Sequence, residues 1–328
     1  MTTYKEIRGT NIEAVATDPS NPVDGQVWYN TTSNVLKGAL LFTNTWSTGG
    51  NLNTARYFSG GKGAQTSALC FGGAAGANEN LTVTEKYNGT SWTEVADLNT
   101  GRSAIAASGV DNTSIAAVDG FQGSTYYANV ELWNGSNWTE TTDTNTTNIA
   151  ARGGAGVSST STLVFGGSIN GAPPTAVTES WNGSSWTEVN DLNVARRFPG
   201  GAGTATAALA FGGNQPPVQA DTESWNGTNW TEVANMNSAR TRSMSFGTAN
   251  TAALVAGGEG NPSVAGLVEV WNGSSWSETT DMTTPRTNTA SGAGSTTAGL
   301  VAGGNPPSGI TTTEEWNNGV LTKTFTDS

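Results

Sequence analysis

Glutamate is the residue type whose spacing in this sequence could support catalysis, because paired carboxylates are the acid and base of glycoside hydrolysis. The glutamates form two regularly spaced series. One series precedes an aromatic residue by one or two positions: Glu85, Glu131, Glu179, Glu223, Glu269 and Glu315. The other follows a tryptophan by two positions: Glu94, Glu140, Glu188, Glu232 and Glu278. A carboxylate repeated in this way is typical of a scaffold, so we predict that neither series is catalytic.

Arginine recurs with the same period. It stands ten residues after most of the second tryptophans, at Arg56, Arg102, Arg196, Arg240 and Arg286, while Arg152 is displaced to fourteen. A ring of guanidinium groups could hold an anionic ligand. The alternative is a partly buried pair with a glutamate of the same or the next repeat. The repetition favours the second interpretation, in which arginine is structural.

Metal and cofactor chemistry has few suitable side chains here. The sequence contains no His and a single cysteine, Cys70, whereas zinc and copper sites usually draw on His or Cys side chains. A cysteine without a histidine base is a poor nucleophile. The glycine-rich segments 72–76 and 200–203 lack the Lys-Ser/Thr ending of a nucleotide-binding loop. We therefore predict a non-enzymatic protein that has no metal and no cofactor.

Charge and hydropathy exclude two classes of partner. The formal net charge is -12 and the pI is about 4.4, so a nucleic acid backbone would be repelled. The first fifteen residues lack the apolar core of a signal peptide, and no apolar run is long enough to cross a bilayer. We expect neither nucleic acid binding nor membrane insertion.

The elements that carry these residues repeat along the chain. Pairs of aromatics five positions apart recur, and the second members, Trp92, Trp138, Trp186, Trp230 and Trp276, lie 44 to 48 residues apart. Asn-Gly between the two aromatics predicts a hairpin turn. In most copies of the repeat, a double glycine follows the arginine. Each repeat therefore predicts four short strands, with the second tryptophans buried at equivalent positions.

The order arginine, apolar strand, double glycine, aromatic, tryptophan is similar to the kelch repeat over residues 51–325. The resemblance implies an all-β propeller in which each copy supplies one four-stranded blade. The six copies are 51–97, 98–143, 144–191, 192–235, 236–281 and 282–328. The strand-like runs of residues 1–50 indicate a degenerate seventh blade whose last strand contains Trp46. The alternative architecture is a six-bladed ring in which these residues form a separate N-terminal hairpin arm.

The loops of such a blade lie on two faces, and only one face is uniform. The Asn-Gly turns are nearly identical, whereas the loops after the double glycine differ in length and composition. The variable loops hold Pro173, Pro174, Pro216, Pro217, Pro262, Pro306 and Pro307, together with Phe121, Tyr126, Tyr127, Ala172 and Gln219. Stiff, unlike loops on a rigid ring form a preorganised contact surface. We predict that this face binds the partner.

The N-terminal stretch DPSNPVDGQVWYN resembles the opening of structural and tail-associated proteins of marine tailed bacteriophages. That resemblance implies a virion component that docks to other virion proteins or displays a surface, as part of a tail, a fibre or a capsid decoration. The expected location is the virion, after synthesis in the host cytoplasm. The alternative is an adhesin that binds a host-surface glycan through its aromatic residues, and a glycan-degrading enzyme is a remote third hypothesis.

Overall fold

The fold is all-β, as predicted. The structure is a computed structural model that describes residues 12–19, 26–76, 79–171, 173–260, 262–288, 291–304 and 309–325. These residues form thirty strands and no helix, so none of them provides a helical membrane span. The chain divides into two compact units, one of residues 46–316 and one of residues 1–45 with 317–328.

The strands are short, with three exceptions longer than eight residues. In chain order they are β1 (Glu13–Val15), β2 (Val27–Asn30), β3 (Val35–Gly49), β4 (Gly60–Ala64), β5 (Ser67–Phe71), β6 (Ala74–Gly76), β7 (Glu79–Asn80), β8 (Thr84–Tyr87), β9 (Trp92–Val95), β10 (Ala106–Ser108), β11 (Ile115–Gln122), β12 (Thr125–Trp133), β13 (Trp138–Glu140), β14 (Ile149–Ala150) and β15 (Gly153–Ser158). They continue as β16 (Ser161–Phe165), β17 (Ser168–Ile169), β18 (Thr178–Trp181), β19 (Trp186–Val189), β20 (Gly200–Gly203), β21 (Ala208–Phe211), β22 (Thr222–Trp225), β23 (Trp230–Val233), β24 (Met244–Ala249), β25 (Ala252–Ala256), β26 (Val268–Trp271), β27 (Trp276–Glu278), β28 (Ser291–Gly294), β29 (Ala298–Ala302) and β30 (Thr313–Phe325).

The unit of residues 46–316 is built from antiparallel sheets. Five sheets have four strands each, in the orders β4-β5-β8-β9, β10-β11-β12-β13, β15-β16-β18-β19, β20-β21-β22-β23 and β24-β25-β26-β27. A further sheet contains β28, β29, β30 and β3 in that order. Two-stranded sheets, β6-β7 and β14-β17, lie in the loops.

The first strands of these sheets contact one another in a closed cycle. Strand β4 contacts β10, and the contacts continue through β15, β20, β24 and β28 back to β4. Glycine allows close packing at this centre: a Cβ at Gly60 would lie 2.3 Å from the ring of Phe71, and a Cβ at Gly200 equally close to Phe211. Such contacts explain why small residues recur in the first strands.

The hydrophobic core lies between neighbouring sheets. Each aromatic pair has ring centroids 4.9 to 5.6 Å apart, and Trp92, Trp138, Trp186, Trp230 and Trp276 are buried. The indole of Trp138 donates to Thr84 of the preceding sheet. The indole of Trp92 donates to Thr313 at 3.0 Å, which links the first repeat to the last. Cys70 is buried in one of these core clusters.

The second aromatic position of the last sheet is filled from the beginning of the chain. Trp46 packs against Trp316 with ring centroids 5.3 Å apart and donates to the carbonyl of Thr280. We expected Trp46 to end a separate blade. That expectation is wrong, because the strand ending at Gly49 completes the sheet of β28, β29 and β30.

Every repeated arginine is buried and paired within its own repeat. The pairs are Arg56–Glu85, Arg102–Glu131, Arg152–Glu179, Arg196–Glu223, Arg240–Glu269 and Arg286–Glu314, with N···O distances of 2.5 to 3.0 Å. The same carboxylates accept backbone N–H groups, as Glu85 does from Asn53 and Thr54. In the last repeat the partner is Glu314, whereas Glu315 accepts from the Tyr87 hydroxyl. This corrects the predicted series by one position.

The other unit is organised around one carboxylate. Asp18 accepts hydrogen bonds from the Trp28 indole at 3.0 Å, from the Asn30 amide at 2.7 Å and from the Lys37 ammonium at 2.7 Å. Strand β1 pairs with β2 in parallel and β2 with β3 antiparallel. A parallel pair differs from the antiparallel blade expected for residues 1–50. The unit boundary also falls at 45/46 and not at 50.

Candidate functional site

The variable loops and the connections that follow the arginines lie at one end of the sheets. Five antiparallel pairings join the two kinds of segment: Tyr57 with Ala74, Ser103 with Phe121, β14 with β17, Arg197 with Asn214, and Thr241 with Glu259. We call this end the loop face. The Asn-Gly turns lie at the other end, beside the turns between the first two strands of each sheet. The Trp133 indole, for example, donates to Asn112 of such a turn.

The predicted contact residues lie on the loop face in two groups. Phe121 and Tyr126 stack with ring centroids 5.7 Å apart, and the Tyr127 hydroxyl donates to Gln122. All three rings are half-buried. The Tyr126 hydroxyl also reaches the next repeat, because a Cβ at Gly171 would lie 2.6 Å from it. The aromatic group therefore bridges two neighbouring loops.

The second group consists of prolines and one glutamine. Pro173, Pro216, Pro217 and Pro262 are exposed, and Pro174 is half-buried. The Gln219 amide donates to the carbonyl groups of Gln215 and Pro217 at 2.8 and 2.7 Å, which holds its loop closed. Ala172, Pro306 and Pro307 lie outside the described residues.

The centre of the loop face is a ring of six equivalent residues that the sequence did not reveal. They are Phe58, Ala104, Ala151, Phe198, Arg242 and Asn288, all with φ between 52° and 62°. Five backbone hydrogen bonds of 2.7 to 3.4 Å connect them in a row around the axis, from Arg242 through Phe198, Ala151, Ala104 and Phe58 to Asn288. The left-handed backbone conformation is unfavourable for bulky side chains, so the backbone of this ring is strained and the packing of the surrounding sheets must compensate for that strain.

Three large side chains of this ring form a cluster. The rings of Phe58 and Phe198 stack with centroids 5.6 Å apart, and the Arg242 guanidinium lies 4.8 Å from the Phe198 centroid. Arg242 also pairs with Glu259 at 2.7 Å. All four residues are partly exposed. A cation held over aromatic rings, with a carboxylate beside it, is suited to contacts with a polar partner. The positions are recognisable in the sequence only by alignment, two residues after the repeated arginine.

Unpartnered polar atoms lie in the strand pairs beside this cluster. Among the described residues, Arg197 Nε, Asn214 Oδ1 and Thr241 Oγ1 are buried without a hydrogen-bond partner. Arg197 pairs through its backbone with Asn214, and Thr241 with Glu259. Buried polar groups without partners are costly, so these three atoms reduce the stability of the strand pairs next to the cluster.

The junction of the second and third repeats breaks the pattern. Asp119 replaces the first glycine of the double glycine and keeps a positive φ of 57°. Arg152 stands one residue before Gly153, three positions later than the other arginines, and Ile149 fills their place. The Arg152 guanidinium contacts both Glu179 at 3.0 Å and Asp119 at 3.3 Å. Burial raises the pKa of Asp119 to about 6, which Arg152 and Thr144 only partly oppose.

The series of glutamates that follows the tryptophans is exposed: Glu94, Glu140, Glu188, Glu232 and Glu278. The other series is bound to arginine, as described above. In the described part of the chain, no three side chains of His, Cys, Asp or Glu are grouped so that they could hold a metal ion. The regularly spaced charges are thus divided between the solvent and the buried pairs.

Comparison with known proteins supports the fold class. The sequence matches no family model and no curated protein. The fold is of the β-propeller type, and a similar solved structure is "Structure of YjhT", with a TM-score of 0.67 and 13% sequence identity. The match covers 83% of this chain and 99% of that chain. At this identity the likeness concerns the fold alone.

Proposed function

We propose that residues 46–316 form a six-bladed propeller of the kelch type. The cyclic contacts of the six first strands support this number. The recurrence of one buried arginine–glutamate pair and one aromatic pair in each repeat supports the type. Trp46 supplies the last strand of the sixth blade, so the ring is closed by residues from both ends of the unit.

We further propose that the protein is a non-enzymatic virion component of a tailed phage, which uses the propeller as a docking or display platform. The observation that carries this proposal is the contrast between the two faces. The repeated arginines and their glutamate partners form buried pairs, while the loop face presents unlike side chains, such as Phe198, Arg242 and Tyr126, over a regular scaffold. A partner without matching symmetry requires such unlike residues.

The phage-like N-terminal stretch contributes a separate argument. Trp28 and Asn30 both donate to the carboxylate of Asp18, so the two described ends of this stretch are bonded to each other. Lys37 holds the pKa of the Asp18 carboxyl down, at about 2, with help from Asn30 and Trp28. We propose that this unit attaches the protein to other virion proteins.

Incorporation into particles tests the proposal. Gln219→Arg places a bulky cation on the loop face, and Asn272→Arg places the same side chain on the opposite turns. We expect the Gln219 variant to enter particles poorly and the Asn272 variant to enter normally, with both folding as judged by circular dichroism. The opposite pattern would assign contact to the turn side, and a protein absent from wild-type particles would remove the virion role altogether.

Glycan binding is the second candidate function, and the stacked Phe121–Tyr126 pair favours it. Partly exposed aromatic faces suit the apolar faces of sugars. A glycan array would be probed with the wild type and with a Tyr126→Ala, Tyr127→Ala double variant, with Tyr29→Ala as the control. Binding that survives in the double variant, or that is absent in the wild type, rejects this candidate.

A further inference from the structure

A cavity of about 80 Å³ lies among the first strands of the unit of residues 46–316. Its wall is mostly glycine and alanine, with Ser59, Lys62, Arg152, Ser243 and Ser245 as its polar side chains. A second, smaller cavity is lined by Lys62 together with Gly63, Gly156 and Gly203. The first cavity has room for a few water molecules or for one small polyatomic ion. Lys62 is the charged residue common to both.

Lys62 departs from the symmetry of the repeats. The equivalent positions in the other first strands hold Ser108, Ala155, Ala202, Phe246 and Ala293, which are all buried. The scaffold therefore accepts small or apolar side chains at this position. A lysine here is not required by strand pairing or by sheet packing, and it brings a charge into a narrow space.

The charge of Lys62 is not balanced by a neighbouring carboxylate. The other cation of the cavity wall, Arg152, is already paired with Asp119 and Glu179. Among the described residues, no Asp or Glu lines either cavity, and Lys62 has no ion pair. Loss of hydration lowers the pKa of Lys62 to about 8. In a chain of net charge -12, this cavity is a local site of positive charge.

We propose that the cavity binds a small anion, a carboxylate or an oxyanion of the size of acetate or sulfate, through the Lys62 ammonium. The hydroxyl-bearing Ser59 and Ser243 line the same wall and are suited to the remaining oxygen atoms. An anion at this point replaces the lost hydration of the ammonium. The cavity wall also includes Ala104, Ala151 and Phe198 of the loop-face ring, so the site lies next to the centre of that face. Anion binding is nevertheless a separate role from docking, because Lys62, Ser59 and Ser243 are not among the residues proposed to contact the partner.

Sulfate is the first probe, because its charge is constant from pH 6 to pH 10. Calorimetric titration of the full chain at pH 7 should detect binding that falls about 30-fold by pH 9.5, as a lysine with a pKa of about 8 loses its proton. Acetate, titrated in parallel, distinguishes a preference for carboxylates from one for oxyanions.

Three variants sharpen the test. Lys62→Met should weaken sulfate binding at least tenfold, and Lys86→Met, which removes a lysine outside the cavities, should leave it unchanged. Lys62→Arg should bind at pH 7 and keep binding at pH 9.5, because a guanidinium does not titrate there. Equal binding by Lys62→Met and the wild type, or no binding by the wild type, would overturn the proposal.

A measurement on the unmodified sequence covers the case in which the Lys62 variants do not fold. The pKa of Lys62 can be followed by NMR after reductive ¹³C-methylation of the lysines, with and without sulfate. Bound sulfate should raise the pKa of Lys62 towards the ordinary lysine value, since the anion stabilises the ammonium. A pKa that is the same in both solutions would contradict anion binding.

Discussion

The substitution Asp119→Asn removes the charge of a buried carboxylate that stands outside the regular arginine–glutamate pairs. Asp119 lies with Glu179 against the single guanidinium of Arg152, so two buried carboxylates share one cation. Asparagine has nearly the same shape and tolerates the positive φ of this position. Its side-chain oxygen can still accept from the Thr144 hydroxyl, which lies 2.8 Å from Asp119. The substitution therefore removes a charge with little change in packing.

The size of the effect follows from the pKa of Asp119. Burial raises that pKa from 3.8 to about 6, so the folded protein holds a proton that the unfolded chain releases. The free energy of unfolding therefore falls as the pH rises through this window. Two pKa units correspond to about 3 kcal/mol in total. About 1.4 kcal/mol of this change falls between pH 5 and pH 8.

Urea denaturation followed by tryptophan fluorescence provides the assay. Measured at pH 5 and at pH 8, the stability of Asp119→Asn relative to the wild type should rise by about 1.4 kcal/mol at the higher pH. Glu94→Gln removes an exposed charge and should follow the wild type at both pH values. If the difference between Asp119→Asn and the wild type is constant or shrinks as the pH rises, Asp119 is ionised throughout and the reasoning is refuted.

The remaining predictions concern the core and the smaller unit. Trp276→Ala should lower the free energy of unfolding by about 3 to 5 kcal/mol, as for a large buried aromatic; an unchanged urea midpoint would contradict its role in the core. Arg240→Met should cost about 3 to 5 kcal/mol because it leaves the Glu269 carboxylate buried without a cation, and the double variant with Glu269→Gln, whose amide oxygen can still accept from Asn237 or Ser238, should recover most of the loss. The Asp18 carboxylate has a pKa lowered from 3.8 to about 2, so the stability that it contributes should be complete above about pH 4 and be lost as the pH falls from 4 through 2. NMR of the Trp28 indole N–H would follow this loss, and a shift of that signal near pH 4 would count against it.

The strands were predictable from the sequence because turn residues and aromatic residues close together in the chain mark their ends. Asn272 and Gly273 lie between β26 and β27, and such turns join the outer strands of most repeats because Asn-Gly accepts the required backbone angles. The order of arginine, double glycine and paired aromatics resembles the kelch repeat, and that resemblance likewise implied an all-β fold. These signals depend on residues close together in the chain, so the sequence is sufficient to locate them.

Features that depend on distant residues were not predictable in this way. A strand ending in Trp46 carries the signature of an outer strand, but the repeat does not specify which sheet it joins. The third repeat has an insertion, and Arg152 reaches Glu179 from a position where other repeats have Ser59 or Pro199. Only the folded structure shows that Arg152 and the other repeated arginines, which occupy different positions in the repeat, place their guanidinium groups against equivalent glutamates. Period and spacing describe positions along the chain, whereas these contacts are defined in space.

The large side chains of the loop-face ring, Phe58, Phe198 and Arg242, are not required by the repeated scaffold. Ala104 and Ala151 make the same backbone hydrogen bonds around the axis as Phe58 and Phe198 do, so these bonds form without large side chains. An aromatic residue with positive φ is a more strained choice than glycine or asparagine. The gain that offsets this strain must come from the side chain, and in the described structure that gain is the stack of Phe58 and Phe198 under Arg242. Since the stack is partly exposed at the centre of the loop face, a bound partner would complete its burial.

We therefore expect Phe198→Ala to weaken the binding of a loop-face partner. The free energy of unfolding should stay within about 1 kcal/mol of the wild type, since partly exposed contacts contribute little. A loss of several kcal/mol of stability without loss of binding would identify the stack as part of the scaffold.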